Sequence, residues 1–202
     1  MPDRTPPAGD HPLPLTPPNL GQLVEARADA TPDAEMLVDE TGARMTFAEY
    51  ELAAERMAAG LHHLGVGAGD VVTWELPTWL DTVVLAAALS RLGAVQNPII
   101  AIYREREVTF CVRQSGAKLL ITPGATPSFD FGAMGAAIAE AVEGLEHLAV
   151  ERGGFPSGDP ASLPPAPASD GTELRWLCYT SGTTSDPKGA KHTDASIHAI
   201  GL

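Results

Sequence analysis

The sequence predicts an α/β fold: a mainly parallel sheet with helices on both faces. Three observations predict it. Short apolar or β-branched runs alternate several times with longer segments of helical spacing. The helical segments carry their own start and stop signals, such as the capping-box spacing of Thr46 and Glu49 and the glycines at 65 and 93. A sizeable core is within reach, since 44% of the 202 residues are hydrophobic, and residues 83–89 run without a charge, as a helix covered on most sides requires.

Residues 1–18 hold seven prolines and few large apolar side chains, so they are expected to form an extended, mostly disordered lead-in. Asn19 then opens a short amphipathic helix with Leu20, Leu23, Val24 and Arg27, which ends before Thr31-Pro32. Residues 34–38 read as a strand, Glu40-Thr41-Gly42-Ala43 as a turn, and Arg44-Met45 as the arm that pairs back. Thr46 caps a helix to about Leu64, with Leu52, Ala53, Met57 and Leu61 on one face and Gly65 as its stop. Residues 70–76 are apolar and β-branched, a buried strand. A helix follows from Pro77-Thr78 to Leu92, halted by Gly93. Residues 94–97 form a short strand ended by Pro98. Residues 105–115 read as a helix, 118–122 as a strand, 133–144 as a helix and 147–150 as a strand. Residues 152–170, with five prolines and three glycines, are expected to be a surface loop or linker. That loop delivers the chain to Leu174-Arg175-Trp176-Leu177-Cys178-Tyr179, a further buried strand.

Composition excludes some classes of function. The net charge is −13, from 26 acidic and 13 basic residues. This argues against nucleic acid and anionic membrane as main partners. The excess of acid lies largely between Glu25 and Glu55. Between residues 171 and 194, Glu173, Asp186 and Asp194 are matched by Arg175, Lys188 and Lys191. The most apolar run, residues 82–89, is too short to cross a bilayer. No secretory signal is visible, and Cys111 and Cys178 lack metal-type spacing, so a soluble, cytoplasmic protein with reduced, buried thiols is expected. None of the six histidines makes a metal-type pair, and no metal site is expected. His62 and His63 suit a helix end. Cys178 has no base beside it in sequence and sits in an apolar strand, so packing accounts for it.

One stretch stands apart from ordinary punctuation: Tyr179-Thr180-Ser181-Gly182-Thr183-Thr184-Ser185-Asp186-Pro187-Lys188-Gly189. Small side chains let backbone N–H groups approach an anion closely, and hydroxyls add donors. Lys188 adds a full charge. At about 4 Å and an effective dielectric near 20, that charge contributes on the order of 4 kcal/mol against one phosphate charge. A strand leads in, and a helix is expected from His192 to Ile200, so the loop reads as a strand-to-helix connection. It is not a Walker A loop, because Gly182 and Lys188 are six residues apart and Pro187 precedes the lysine.

The eleven-residue string resembles the phosphate-loop signature of the AMP-forming, adenylate-forming enzymes, a group that includes acyl-CoA synthetases, luciferases and peptide-synthetase adenylation domains. Ser185 stands where glycine is commonest in that signature. Gln96-Asn97-Pro98-Ile99-Ile100, followed by Tyr103-Arg104-Glu105-Arg106-Glu107, is similar to the corresponding region of CoA ligases acting on fatty or alicyclic acids. The resemblance runs from about Leu20 onward. It implies that residues 19–202 form part of the large N-terminal domain of an acyl-CoA synthetase-like fold.

The same resemblance implies a two-step reaction of ATP with a carboxylic acid and then with a thiol, that of CoA in the ligases. Mg2+ would accompany ATP. Thr180, Ser181, Gly182, Thr183, Thr184 and Lys188 would hold the β- and γ-phosphates, and His192 would lie near the nucleotide or else serve the start of the next helix. The catalytic residues of the family, its acyl pocket and its small mobile C-terminal domain would lie downstream of Leu202. The chain is therefore expected to be an amino-terminal fragment without ligase activity of its own. A fragment of a peptide-synthetase adenylation domain and a non-catalytic binding module are the alternatives.

Overall fold

The computed structural model describes residues 19–180 and 187–200. The expected lead-in, residues 1–18, lies outside the described residues. Helix α1 (Leu20–Ala30) begins where Asn19 accepts a hydrogen bond from the backbone N–H of Gln22 at 2.9 Å. Strands β1 (Glu35–Val38) and β2 (Arg44–Thr46) form a separate antiparallel hairpin. Helix α2 (Phe47–His63) carries the expected capping box. The Thr46 hydroxyl accepts from the Glu49 N–H at 3.2 Å, and the Glu49 carboxylate accepts from the Thr46 N–H at 2.8 Å.

The face that α2 buries is Tyr50, Ala54, Met57, Ala58 and Leu61. Leu52, expected on that face, is 46% exposed. The reason is angular: at about 100° per residue, Leu52 lies on the side of the helix opposite Leu61.

The main sheet holds six strands: β3 (Val71–Trp74), β4 (Val95–Pro98), β5 (Leu119–Pro123), β6 (Glu146–Val150), β7 (Leu174–Thr180) and β8 (Lys188–Thr193). Their order is β6-β5-β3-β4-β7-β8; the first five are parallel and β8 pairs antiparallel to β7 at the edge. Helices α3 (Leu80–Leu92), α4 (Glu105–Ser115) and α5 (Phe131–Ala141) make the crossovers. Gly93 ends α3 in the left-handed region at φ 69°, where a side chain would be strained. The helix expected over 133–144 starts two residues earlier, because Asp130 caps it by accepting from the Ala133 N–H at 2.8 Å.

Helices cover both faces, as expected. On one face α1, α2 and α3 bury Leu61, Leu85, Leu89, Val72 and Ile121. On the other α4 and α5 bury Val108, Val112, Leu120, Met134 and Ile138. Leu120 and Ile121 are neighbours on β5 and face opposite layers, as strand geometry dictates.

Residues 152–170 contain a single turn of 3₁₀ helix, Pro160–Ser162. They pack tightly along α2 and α3. The Gly158 N–H donates to the Arg56 carbonyl at 2.9 Å, Arg91 Nη2 donates to the Pro164 carbonyl at 3.0 Å, and Phe155 and Leu163 pack against the first core layer. Gly60, in the last turn of α2, has no room for a Cβ because the backbone of Pro156 and Ser157 occupies that space. Among the described residues, no helix is long and apolar enough to cross a membrane.

Candidate functional site

Strand β7 enters the sheet beside β4, with Gln96 opposite Trp176. Arg175 and Leu177 are buried, and Arg175 Nη1 donates to the Gly93 carbonyl at 2.9 Å. The strand delivers Thr180 to the carboxyl edge of the parallel strands. In this sheet β4 lies on one side of β3 while β5 and β6 lie on the other. Open α/β sheets bind ligands outside the carboxyl ends of such strands, where the winding reverses. The end of β7 and the 98–104 connection belong to that edge.

The chain leaves β7 at Thr180 and returns at Lys188, directly opposite, in a ladder that runs through Tyr179 and Gly189, Cys178 and Ala190, and Leu177 and Lys191. This corrects the expected strand-to-helix connection: the stretch joins two antiparallel strands. Helix α6 (Asp194–Ile200) starts only afterwards, two residues later than expected. The physical reason is that the backbone of 188–193 finds its hydrogen bonds on β7, and a reciprocal pair ends the strand: Thr193 N–H to Ser196 Oγ at 3.0 Å and Ser196 N–H to Thr193 Oγ1 at 3.1 Å.

Of the sequence-predicted phosphate ligands, the structure places Thr180 and Lys188 as cross-strand partners, both exposed. Ser181, Gly182, Thr183 and Thr184 lie outside the described residues. Lys188 has no carboxylate partner among the described residues. An exposed ammonium on the residue opposite a threonine, without a carboxylate partner among the described residues, suits a polyanion. His192 stands opposite Trp176 on β8, four residues or about 13 Å from Lys188 along an extended strand. Its Nδ1 lies 3.5 Å from Ser196 Oγ, at the start of α6.

Two side chains secure the neck of this hairpin. The Tyr179 hydroxyl donates to Gln114 Oε1 of α4 at 2.9 Å. Its ring lies over Gly189, where an added Cβ would come within 3.1 Å of Tyr179 Cζ. Burial pushes the Tyr179 hydroxyl up to about 12, so it stays a hydrogen-bond donor at neutral pH. Burial also pushes the Cys178 thiol up and that of Cys111 up to about 12, which makes both poor nucleophiles, as the sequence indicated. Trp74 and Trp79 pack against the first core layer, and Trp176 Nε1 donates to Asp194 Oδ1 at 3.1 Å.

One buried acid was not singled out in the sequence. Glu75, just beyond β3, is fully buried, and neither carboxylate oxygen has a hydrogen-bond partner among the described residues. Burial raises it to about 8, opposed only by the charge of Arg104. Arg104 itself stacks on Phe129 and Phe131, with its guanidinium 4.3 and 5.3 Å from the ring centroids. The one available signal was a lone acid inside Val71-Val72-Thr73-Trp74-Glu75-Leu76. The neighbouring Gln96-Asn97 pair is also buried: Gln96 donates to the Ala86 carbonyl of α3 and Asn97 to the Thr73 hydroxyl. Among the described residues no group of three or more His, Cys, Asp or Glu side chains is placed to hold a metal ion.

Comparison with known proteins shows the family. The family model described as "AMP-binding enzyme" matches residues 24–201. The long-chain-fatty-acid–CoA ligase FadD13 of Mycobacterium tuberculosis is 31% identical over 195 residues, covering 90% of this chain and 36% of the ligase. The nonribosomal peptide synthetase CymA of Salinispora arenicola is 31% identical over 183 residues, covering 90% of this chain and 2% of the synthetase. Among solved structures, the Mycobacterium tuberculosis fatty acyl CoA synthetase superposes with a TM-score of 0.71 at 27% identity, over 90% of this chain and 36% of that one. The chain thus spans about a third of the length of the ligase it matches. Sequence and fold agree: the chain belongs to the AMP-binding, adenylate-forming enzymes and corresponds to their N-terminal portion.

Proposed function

We propose that this chain is the amino-terminal part of an ATP-dependent acyl-CoA synthetase, with residues 1–18 as a lead-in and residues 19–202 as part of the adenylation domain. In the reaction a carboxylate oxygen of the acid attacks the α-phosphorus of ATP, and pyrophosphate leaves. The thiol sulfur of CoA then attacks the acyl carbon of the adenylate; AMP leaves and the thiol proton passes to solvent or base. The first step brings two anions together, so charge neutralisation is the main requirement. Mg2+ bound to ATP supplies part of it. In this reading the chain's own contribution to holding the β- and γ-phosphates is the charge of Lys188, the hydroxyls of Thr180, Ser181, Thr183 and Thr184, and the backbone N–H of Gly182. We place the reaction in the cytoplasm, in keeping with two unpaired cysteines.

The observation that carries this reading is the exposed Lys188, opposite Thr180 at the carboxyl edge of the sheet. Calorimetric titration of the chain with Mg-ATP tests it. Lys188→Ala is expected to weaken binding by about tenfold or more, a loss of roughly 1.4 kcal/mol or more. Equal affinity in the two proteins would remove the support for this reading. The chain alone is expected to give no ATP–pyrophosphate exchange with any carboxylic acid, and turnover in that assay would contradict the assignment as one part of the enzyme. The likeness to the peptide synthetase CymA favours a second reading, a peptide-synthetase adenylation domain. Transfer of the acyl group to a carrier-protein thiol rather than to CoA, by the chain joined to the remainder of its reading frame, would decide for it.

A further inference from the structure

Strand β8 reads Lys-Gly-Ala-Lys-His-Thr, and its first four residues are exposed. Such a strand contains little that specifies its register, because neither face is apolar. It is also an edge strand, with one side unpaired in the described sheet. The ladder already slips once, between Leu174 and Trp176. A slip of one residue at the other end would turn Lys188 to the opposite face and move it away from Thr180. Something must hold the register there.

We propose that Gln114, Tyr179 and Gly189 form a clamp at the neck of the hairpin and act as positioning residues for a polyphosphate held at Lys188. This rests on the phosphate-binding reading of Lys188 given above. Tyr179 immediately precedes Thr180, and Gly189 immediately follows Lys188. The Tyr179 ring lies across Gly189 because that residue has no side chain; any Cβ there would press on the ring at 3.1 Å. Aromatic–glycine pairs across strands pin register in this way. The ring also packs against the second core layer, and its hydroxyl donates to Gln114 Oε1 at 2.9 Å. Gln114 sits on α4, which is anchored by the buried Val108, Cys111 and Val112. The clamp thus connects an exposed edge strand to a rigid helix 65 residues earlier in the chain. Gln114 and Gly189 act through the placement of Thr180 and Lys188.

Titration of the full chain with sodium tripolyphosphate, together with amide exchange at Thr180 and Lys188, tests the clamp. Tyr179→Phe removes only the hydroxyl, and Gln114→Met removes only the acceptor. Each is expected to weaken tripolyphosphate binding about fivefold, the worth of one hydrogen bond. The double variant should be no weaker than either single one, because both remove the same bond. Amide exchange at Thr180 and Lys188 should quicken in all three, while the melting temperature stays near that of the parent, a split that a purely structural role would not give. If these variants bind like the parent while Lys188→Ala does not, the clamp is overturned and the phosphate reading stands. If parent and Lys188→Ala bind alike, the phosphate reading fails, and unchanged exchange in Tyr179→Phe would then dismiss the clamp as well.

Discussion

At the scale of single residues, Glu75 and Lys188 show how much placement alters an ordinary side chain. Lys188 is exposed and unpaired among the described residues, so its charge is available to a ligand. Glu75 is the reverse: fully buried, without a hydrogen bond at either oxygen among the described residues, and raised to about 8 by burial, with the charge of Arg104 opposing the shift. The sign of its effect on stability follows directly. Below about 4.5 the carboxyl is protonated in both the folded and unfolded chains, and nothing is lost. As pH rises from there to about 8, the unfolded chain releases the proton while the folded one keeps it, so stability falls across that window. Glu75→Gln should remove this dependence, and its advantage over the parent should grow from pH 5 to pH 8. Urea melts of both proteins at pH 5, 7 and 8.5 measure it; a constant difference would refute the assignment. The only sign in the sequence is a lone acid at the end of an apolar strand, and such a residue could as well have faced water.

At the scale of elements, the starts and stops of helices were largely legible, since they are local chemistry. Asn19 caps α1, Thr46 and Glu49 close the box on α2, and Gly93 ends α3 in the left-handed region. Thr46→Ala should therefore cost about 1 kcal/mol in chemical denaturation. The face of α2 was less legible: Leu52 is as apolar as Met57 and Leu61, yet it is 46% exposed. Gly60 within α2 gave no cue to its role. In a free helix Gly→Ala would stabilise by up to about 1 kcal/mol. Here Gly60→Ala should instead destabilise, because the Pro156–Ser157 backbone fills the space of a Cβ. A stabilised variant in the same denaturation experiment would show that the 152–170 loop leaves α2 readily. The return of the chain as β8 was hidden for a related reason. Its polar residues 188–193 have no strand pattern of their own and are extended because β7 offers them a ladder.

At the scale of the whole molecule, the sheet separates two apolar layers. Leu85 belongs to one and Ile138 to the other, and both are almost wholly buried. Leu85→Ala should cost roughly 2–5 kcal/mol and Ile138→Val roughly 0.5–1.5 kcal/mol. Because they belong to separate layers, the double variant should show their sum to within about 0.5 kcal/mol. A coupling well above that, measured by urea unfolding, would mean that the layers repack together through β5. The 152–170 segment covers part of the first layer, with Phe155 and Leu163 packed against it. The carboxyl edge of the parallel strands is where this construction puts its unusual groups: Glu75, the stacked Arg104, and the Thr180–Lys188 mouth.

What the sequence determined by itself was the alternation of strand and helix, the caps and the eleven-residue string with its lysine. Each depends on residues a few positions apart, and local hydrogen bonding and periodicity act at that range. Only the tertiary structure decided that the string bridges two antiparallel strands, that Tyr179 meets Gln114 and Gly189, that Gly60 yields to Pro156, and that Glu75 is shut away from water. Those outcomes depend on which segment lies against which across long separations in the chain, and no short window of residues contains that information.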